Sequence, residues 1–310
     1  MNKLYKALGN HIREDWNWSV YGITMLSLAL FTTLYYSPSI KISPFDFRDG
    51  HWARLAHYGI LYGGTYFATA ILAQWNSGTK YLGDFRFWIL SLIFVFIAGL
   101  PKLHIWKFID IKAQDWSVYE MVFAAKCHFF IHQVFWTFVG LLIVSIILKK
   151  WVKFDFGIRV EWKELKPYII ILTLVSPLII GASFFPDFQR AYPQHKPWLH
   201  DEVFNLSIFE RAALFELCYA SGFVAVEAIF RGALAMTMVK VMGTRAVLAM
   251  ASFYCVFHFG KPIGETIGAF FGGYALGVFA IESKSVVGGI IVHLGVAMIM
   301  ETMGYLHHYF

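Results

Sequence analysis

The chain has 310 residues, of which 58% are hydrophobic and 15% charged, with a mean hydropathy of +0.57 and a formal net charge of +6. A soluble domain carries about 25% charged residues, so these figures exclude an ordinary soluble enzyme and point to an integral membrane protein. The surplus of Lys and Arg is spread through short loops; anionic lipid headgroups account for it without nucleic acid.

In chain order, the first eighteen residues are polar and lack the compact apolar core of a cleavable signal peptide. The first apolar segment, Ser19–Tyr36, is therefore expected to act as an uncleaved insertion signal. About 20 apolar residues suffice to cross the hydrocarbon core as a helix. Further segments of this kind run Ala53–Trp75, Phe87–Leu100, Phe123–Leu148, Tyr168–Phe185, Ala212–Val241, Ala246–Gly260, Thr266–Ile281 and Val286–Met303, the third and seventh of the nine being short. Only helices and closed barrels satisfy their backbone in lipid, and continuous apolar runs read as helices. The expected fold is all-α, a polytopic membrane bundle of about eight or nine transmembrane helices. The 31 Phe, 16 Tyr and 11 Trp suit helix ends at the lipid interface.

Residues 1–150 contain no motif with catalytic chemistry and read as an appended set of N-terminal helices; residues 151–310 form the candidate functional core. The densest basic cluster is Lys149, Lys150, Lys153, Arg159, Lys163 and Lys166. Placing it in the cytoplasm puts the N-terminus there too, in a cell inner or plasma membrane, and the Pro186–Val203 loop on the opposite side. That loop's aromatic residues suit interfacial anchoring or a lid. The alternating Lys107, Asp110, Lys112 and Asp115 read as a solvated surface. Cys127, Cys218 and Cys255 lie in apolar segments without CxxC spacing and read as free thiols.

Three late segments carry polar groups that a bilayer tolerates poorly: Glu227 with Arg231, Tyr254 with His258, and His293. An ionisable residue within a span is by default a candidate functional group facing a cavity or partner. Glu227 and Arg231, four residues apart, share a helix face. His258 precedes Gly260-Lys261-Pro262 and so lies near a helix end. The tract from Gly268 to Gly277 is rich in small residues and suits a closely packed inner helix. A carboxylate can take a proton from water, and imidazoles can hold the oxyanion formed when that water attacks an amide. Glu and His are also ordinary zinc ligands, so a divalent metal on the same three side chains is an alternative; no other cofactor is called for. The plain alternative is an interhelical ion pair with two hydrogen-bonding histidines.

The order Glu-x₃-Arg-Gly, then aromatic-x₃-His, then a small-residue helix, then His on the next span resembles the CPBP (CAAX protease and bacteriocin-processing, or Abi) intramembrane protease family. The likeness covers roughly Phe215 to Met303. It implies an intramembrane endopeptidase with Glu227, His258 and His293 as the catalytic centre, supported by Arg231 and Tyr254. It also implies a membrane-associated peptide or protein as substrate or partner. Two positions depart from the family pattern: Val226 stands where the leading Glu belongs, and Ala297 where Asn follows the last His. The competing expectation is a pseudoprotease that keeps the fold as a membrane scaffold. Glu210 and Glu216 are alternative carboxylates, the latter able to reach the pocket only if the helix breaks near Ser221-Gly222. His128 and His132, four residues apart on an apolar helix, admit a metal or haem but read more simply as interhelical hydrogen bonders. His307-His308 stands alone at the end.

Overall fold

A computed structural model describes residues 3–37, 56–75, 79–103, 116–152, 157–158, 162–199 and 203–310. The Lys107–Asp115 charges lie outside these residues, as do Lys153, Arg159 and the loop residues 200–202. Among the described residues all regular structure is helix, with no strand. An N-terminal helix α1 (Lys3–Asp15) precedes α2 (Trp18–Tyr36), and a π-helical turn (Gly59–Gly63) leads into α3 (Gly64–Trp75). Then come α4 (Phe85–Gly99), α5 (Val118–Ile147), α6 (Trp162–Ala182) and the short α7 (Pro186–Ala191). Helix α8 (Ile208–Glu227) continues as a π-helical stretch, Ala228–Thr237. A brief α9 (Val239–Met242), α10 (Ala246–Phe257), α11 (Ile263–Ser283) and α12 (Val287–Tyr309) complete the chain.

Among the described residues, six stretches are long and apolar enough to cross a membrane: Trp18–Tyr36, Val118–Ile147, Glu164–Ala182, Ile208–Phe257, Ile263–Ser283 and Val287–Tyr309, with Phe85–Gly99 shorter. The other expected spans are present as helices. Residues 56–75 are continuous helix of about the length of a crossing, Phe85–Gly99 is shorter, and Ala246–Phe257 is joined to the segment before it. The 50-residue stretch from Ile208 nevertheless folds back on itself. Gly243 takes φ 63°, a conformation favoured by glycine, and the Phe230 ring then meets Phe253, Tyr254 and Phe257 at centroid distances of 5.0, 4.8 and 5.2 Å.

The helix starts follow from local chemistry. Ser117 and Glu120 form a capping box at α5, and Ser207 and Glu210 form one at α8. Glu210 is thereby committed to its own helix terminus and is not available to a site further along. The chain is continuous helix through Ser221 and Gly222. Helix α10 is the centre of the bundle: every residue from Ala246 to Val256 is buried. It lies against α11, α3, α2 and the π-helical stretch. Residues of α2, α3 and α4, such as Tyr21, Tyr66 and Phe94, enter the same apolar core as Phe230, Met250 and Phe253. The N-terminal helices thus pack directly on those that carry the polar residues. Helix α5 packs on α8, and α6 on α12.

Candidate active site

Glu227 is the last residue before the helix widens into its π-helical stretch. Such widenings are rare and often occur at functional sites. Its side chain is 0% exposed and that of Arg231 1%, with Arg231 Nη1 2.9 Å from Glu227 Oε1. From α12, His293 Nδ1 meets the same oxygen at 3.2 Å. A carboxylate only accepts, so Nδ1 carries the hydrogen in that contact. Glu227 Oε2 has no hydrogen-bond partner among the described residues. It is accommodated because residue 289 is glycine: a Cβ at Gly289 would overlap it. Arg231 lies over the Tyr254 ring, 4.4 Å from its centroid, and the Tyr254 hydroxyl is 3.2 Å from His293 Nε2. Gly273 allows α11 to close on that ring, since a Cβ there would come within 2.9 Å of Tyr254 Cδ1.

His258 ends α10. Its Nδ1 lies 2.8 Å from the Tyr254 carbonyl oxygen, and its Nε2 3.8 Å from Glu265 Oε1. The ring stands 4.5 Å from that of Tyr254, so Tyr254 touches both histidines. Glu265 does not stand out in the sequence. Pro262 caps α11 and places Glu265 in the first turn, where an acid is unremarkable because the helix dipole favours it. Its oxygens instead meet side chains from elsewhere: Tyr192 Oη at 2.5 Å and Lys261 Nζ at 2.5 Å. The Lys261–Glu265 spacing of four is the one visible signal. Tyr192 comes from the loop expected to anchor at the interface. That loop turns inward, with Phe188 and Tyr192 buried and Trp198 stacked on His308 at 3.6 Å. Burial, together with the Glu265 carboxylate beside it, holds the Tyr192 phenol well above its ordinary pKa.

The expected residues are therefore gathered in part. Glu227, Arg231, Tyr254 and His293 form one cluster, whereas His258 pairs with a different carboxylate. Among the described residues no three His, Cys, Asp or Glu side chains assemble as a metal-ligand group, so Glu227, His258 and His293 do not form the ligand set considered from sequence. Val226 packs in the main apolar core. Ala297 is buried in the cluster that holds Phe215, Tyr219 and Phe223. Glu216 lies beside Glu301 rather than Glu227, and Glu301 accepts the Gln194 backbone N–H at 3.0 Å. His128 and His132 stack 5.3 Å apart, and Trp136 Nε1 donates to His132 Nε2. The three cysteines are free and buried. A cavity of about 330 Å³ lined by Lys126, Arg190, Lys196 and Arg211 lies elsewhere; no candidate residue lines it.

Residues 210–299 match the family model described as type II CAAX prenyl endopeptidase Rce1-like. No curated protein and no solved structure matches the chain. The matched segment runs from the first turn of α8 into α12 and contains every residue of both clusters except Tyr192. The likeness to that family is confined to this segment, under a third of an integral membrane protein.

Proposed function

We propose that this protein is an intramembrane endopeptidase of the CAAX type, hydrolysing a peptide bond near the membrane surface with Glu227, His258 and His293 as its polar centre. The observation that carries the reading is the convergence of two carboxylate–imidazole pairs on Tyr254 inside the segment that matches the family. One imidazole with a carboxylate suits activation of water, and the other, with the Tyr254 hydroxyl, suits the oxyanion. Arg231 holds Glu227 and, through its stack on Tyr254, the geometry between the pairs. A CAAX substrate ends in Cys, two aliphatic residues and a variable one, with a lipid on the Cys; a membrane-embedded site fits such a peptide. The basic 149–166 segment supports a cytoplasmic N-terminus.

A second reading is favoured by one specific observation. Glu227 is wholly buried and tied to Arg231, and Val226 and Ala297 are sealed in apolar packing. On that reading the chain is a pseudoprotease that binds a membrane partner. Purified protein in liposomes, given a fluorogenic farnesylated Cys-a-a-X peptide, separates the two. Release of the C-terminal tripeptide, abolished by His258→Ala, supports the endopeptidase; an intact peptide after prolonged incubation leaves the scaffold.

A further inference from the structure

The two carboxylate–imidazole pairs are not equivalent. In the first, Glu227 keeps none of its surface, its Oε1 is shared by a guanidinium and an imidazole, and the two ring nitrogens of His293 face Glu227 and the Tyr254 hydroxyl. In the second, the Glu265 carboxylate keeps 14% of its surface and Lys261 beside it 33%. A water molecule that is to be activated must lie between an acceptor nitrogen and a carboxylate it can reach. Only the second carboxylate is open to it.

We infer that His258 and Glu265 form the water-activating half of the site, with Glu265 supplying from α11 the carboxylate that the family pattern places at Val226, while the Glu227–Arg231–His293 cluster with Tyr254 forms the oxyanion half. The inference rests on the endopeptidase reading and specifies which of its groups moves the proton. Its geometry starts at His258 Nδ1. The Tyr254 carbonyl 2.8 Å away can only accept, so Nδ1 carries the hydrogen and Nε2 is the basic nitrogen. Nε2 faces Glu265 Oε1 at 3.8 Å, longer than a direct hydrogen bond and close enough for one water beside them to contact both groups.

Glu265 is held in place from several elements. Tyr192 donates to Oε2 and Lys261 to Oε1. Thr266 Oγ1 donates to the His258 carbonyl at 3.0 Å, and the Tyr36 hydroxyl of α2 reaches both Thr266 Oγ1 at 2.8 Å and the Lys261 carbonyl at 2.5 Å. The backbone carrying His258 and the helix carrying Glu265 are thus tied together. Such fixed geometry is what a general base and its orienting acid need.

The chemistry balances. The water oxygen bonds to the peptide carbonyl carbon while its proton passes to His258 Nε2. The carbonyl π pair moves onto oxygen, where the Tyr254 hydroxyl turns from His293 Nε2 to donate to it, while His293 stays anchored on Glu227 through Nδ1–H. Glu265 stabilises the imidazolium without taking its proton. Collapse reforms the carbonyl, breaks the C–N bond, and returns the His258 proton to the departing amine, giving one acid and one amine from one peptide and one water. Glu265 touches the reacting water beside His258, holding its other hydrogen while His258 takes the one that is transferred.

The test uses the full-length protein in liposomes and the fluorogenic farnesylated Cys-a-a-X peptide. Glu265→Gln keeps the shape and removes the charge; kcat is expected to fall about 100-fold with KM and the thermal midpoint unchanged. A kcat within about threefold of wild type overturns the inference. If Glu265→Gln does not accumulate folded, Glu265→Asp decides: a reduced kcat at unchanged KM supports the assignment, and a wild-type kcat overturns it. An inert wild type overturns the endopeptidase reading and this inference with it, whereas an active wild type with an unaffected variant overturns this inference alone.

Discussion

Glu227 and Glu265 each sit within 4 Å of a histidine and a cation, yet one carboxylate is sealed and the other partly open. The difference teaches what each arrangement is suited to. A charge pair taken wholly out of water depends on its partner for survival, because an uncompensated buried charge is costly. A pair at the edge of the bundle keeps water within reach, and its ion pair contributes little to stability. Burial suits the Glu227 cluster to a rigid element of the fold; access suits the Glu265 cluster to the proton transfer proposed for it.

Matched substitutions can break this comparison. Arg231→Met strands Glu227 and is expected to cost about 3–5 kcal/mol, whereas Glu227→Leu combined with Arg231→Met recovers most of that loss. Lys261→Met at the open pair is expected to cost no more than about 1 kcal/mol. Thermal unfolding in detergent reads all three; equal losses at Arg231 and Lys261 would erase the distinction. Gly289→Ala comes next, since its Cβ overlaps Glu227 Oε2. Overpacking of this kind costs about 1–3 kcal/mol, and an unchanged midpoint would show that the carboxylate has room to move.

Tyr254→Phe keeps the ring under Arg231 and removes the hydroxyl from His293. Removing one oxyanion donor is expected to cost about 3 kcal/mol of transition-state stabilisation, or roughly 100-fold in kcat. The smallest effect concerns α1, docked on α11 through the His11–Tyr274 ring contact at 5.5 Å. Burial is the largest influence on His11 and lowers its pKa. Asp15 and Glu14 oppose it, and Arg245 adds to it. The folded state therefore prefers the neutral ring, so its stability is complete above the ordinary histidine value of about 6.5 and drains as pH falls below it. Protection factors over α1, with the intrinsic pH dependence of exchange divided out, should fall between about pH 7.5 and about pH 5.5, and a His11→Phe variant should lose that sensitivity.

The membrane class and most helices were legible because an apolar run of about 20 residues matches the thickness of the hydrocarbon core and little else in a protein demands that length. The same logic left Phe87–Leu100 and Ala246–Gly260 as short runs, too brief to read plainly as complete crossings. Hydropathy does not distinguish a helix buried in protein from one in lipid, and α10 is buried in protein along nearly its whole length. At the site, the i,i+4 spacing of Glu227 and Arg231 forecast their ion pair directly. The meeting of His293 with Glu227 was an expectation from motif order, and α8 and α12 bring it about. His258 was expected to join them, but its carboxylate comes from seven residues further on, across a proline-capped helix start. Glu265 in a first turn looks like an acid placed for the helix dipole, and only Tyr192, brought in from 73 residues upstream, reveals another role. Local patterns encode helix starts and same-face pairs; which loop folds inward over them depends on packing between distant segments.

The central claim is peptide-bond hydrolysis. Its most direct test compares membrane-protein termini by mass spectrometry in host cells carrying wild type, a deletion, Glu227→Gln or His258→Ala. The account predicts new termini with wild type that vanish in the deletion and with His258→Ala. Identical termini in all four strains, with both point variants still rescuing the deletion, would contradict it and leave a scaffold on a protease fold.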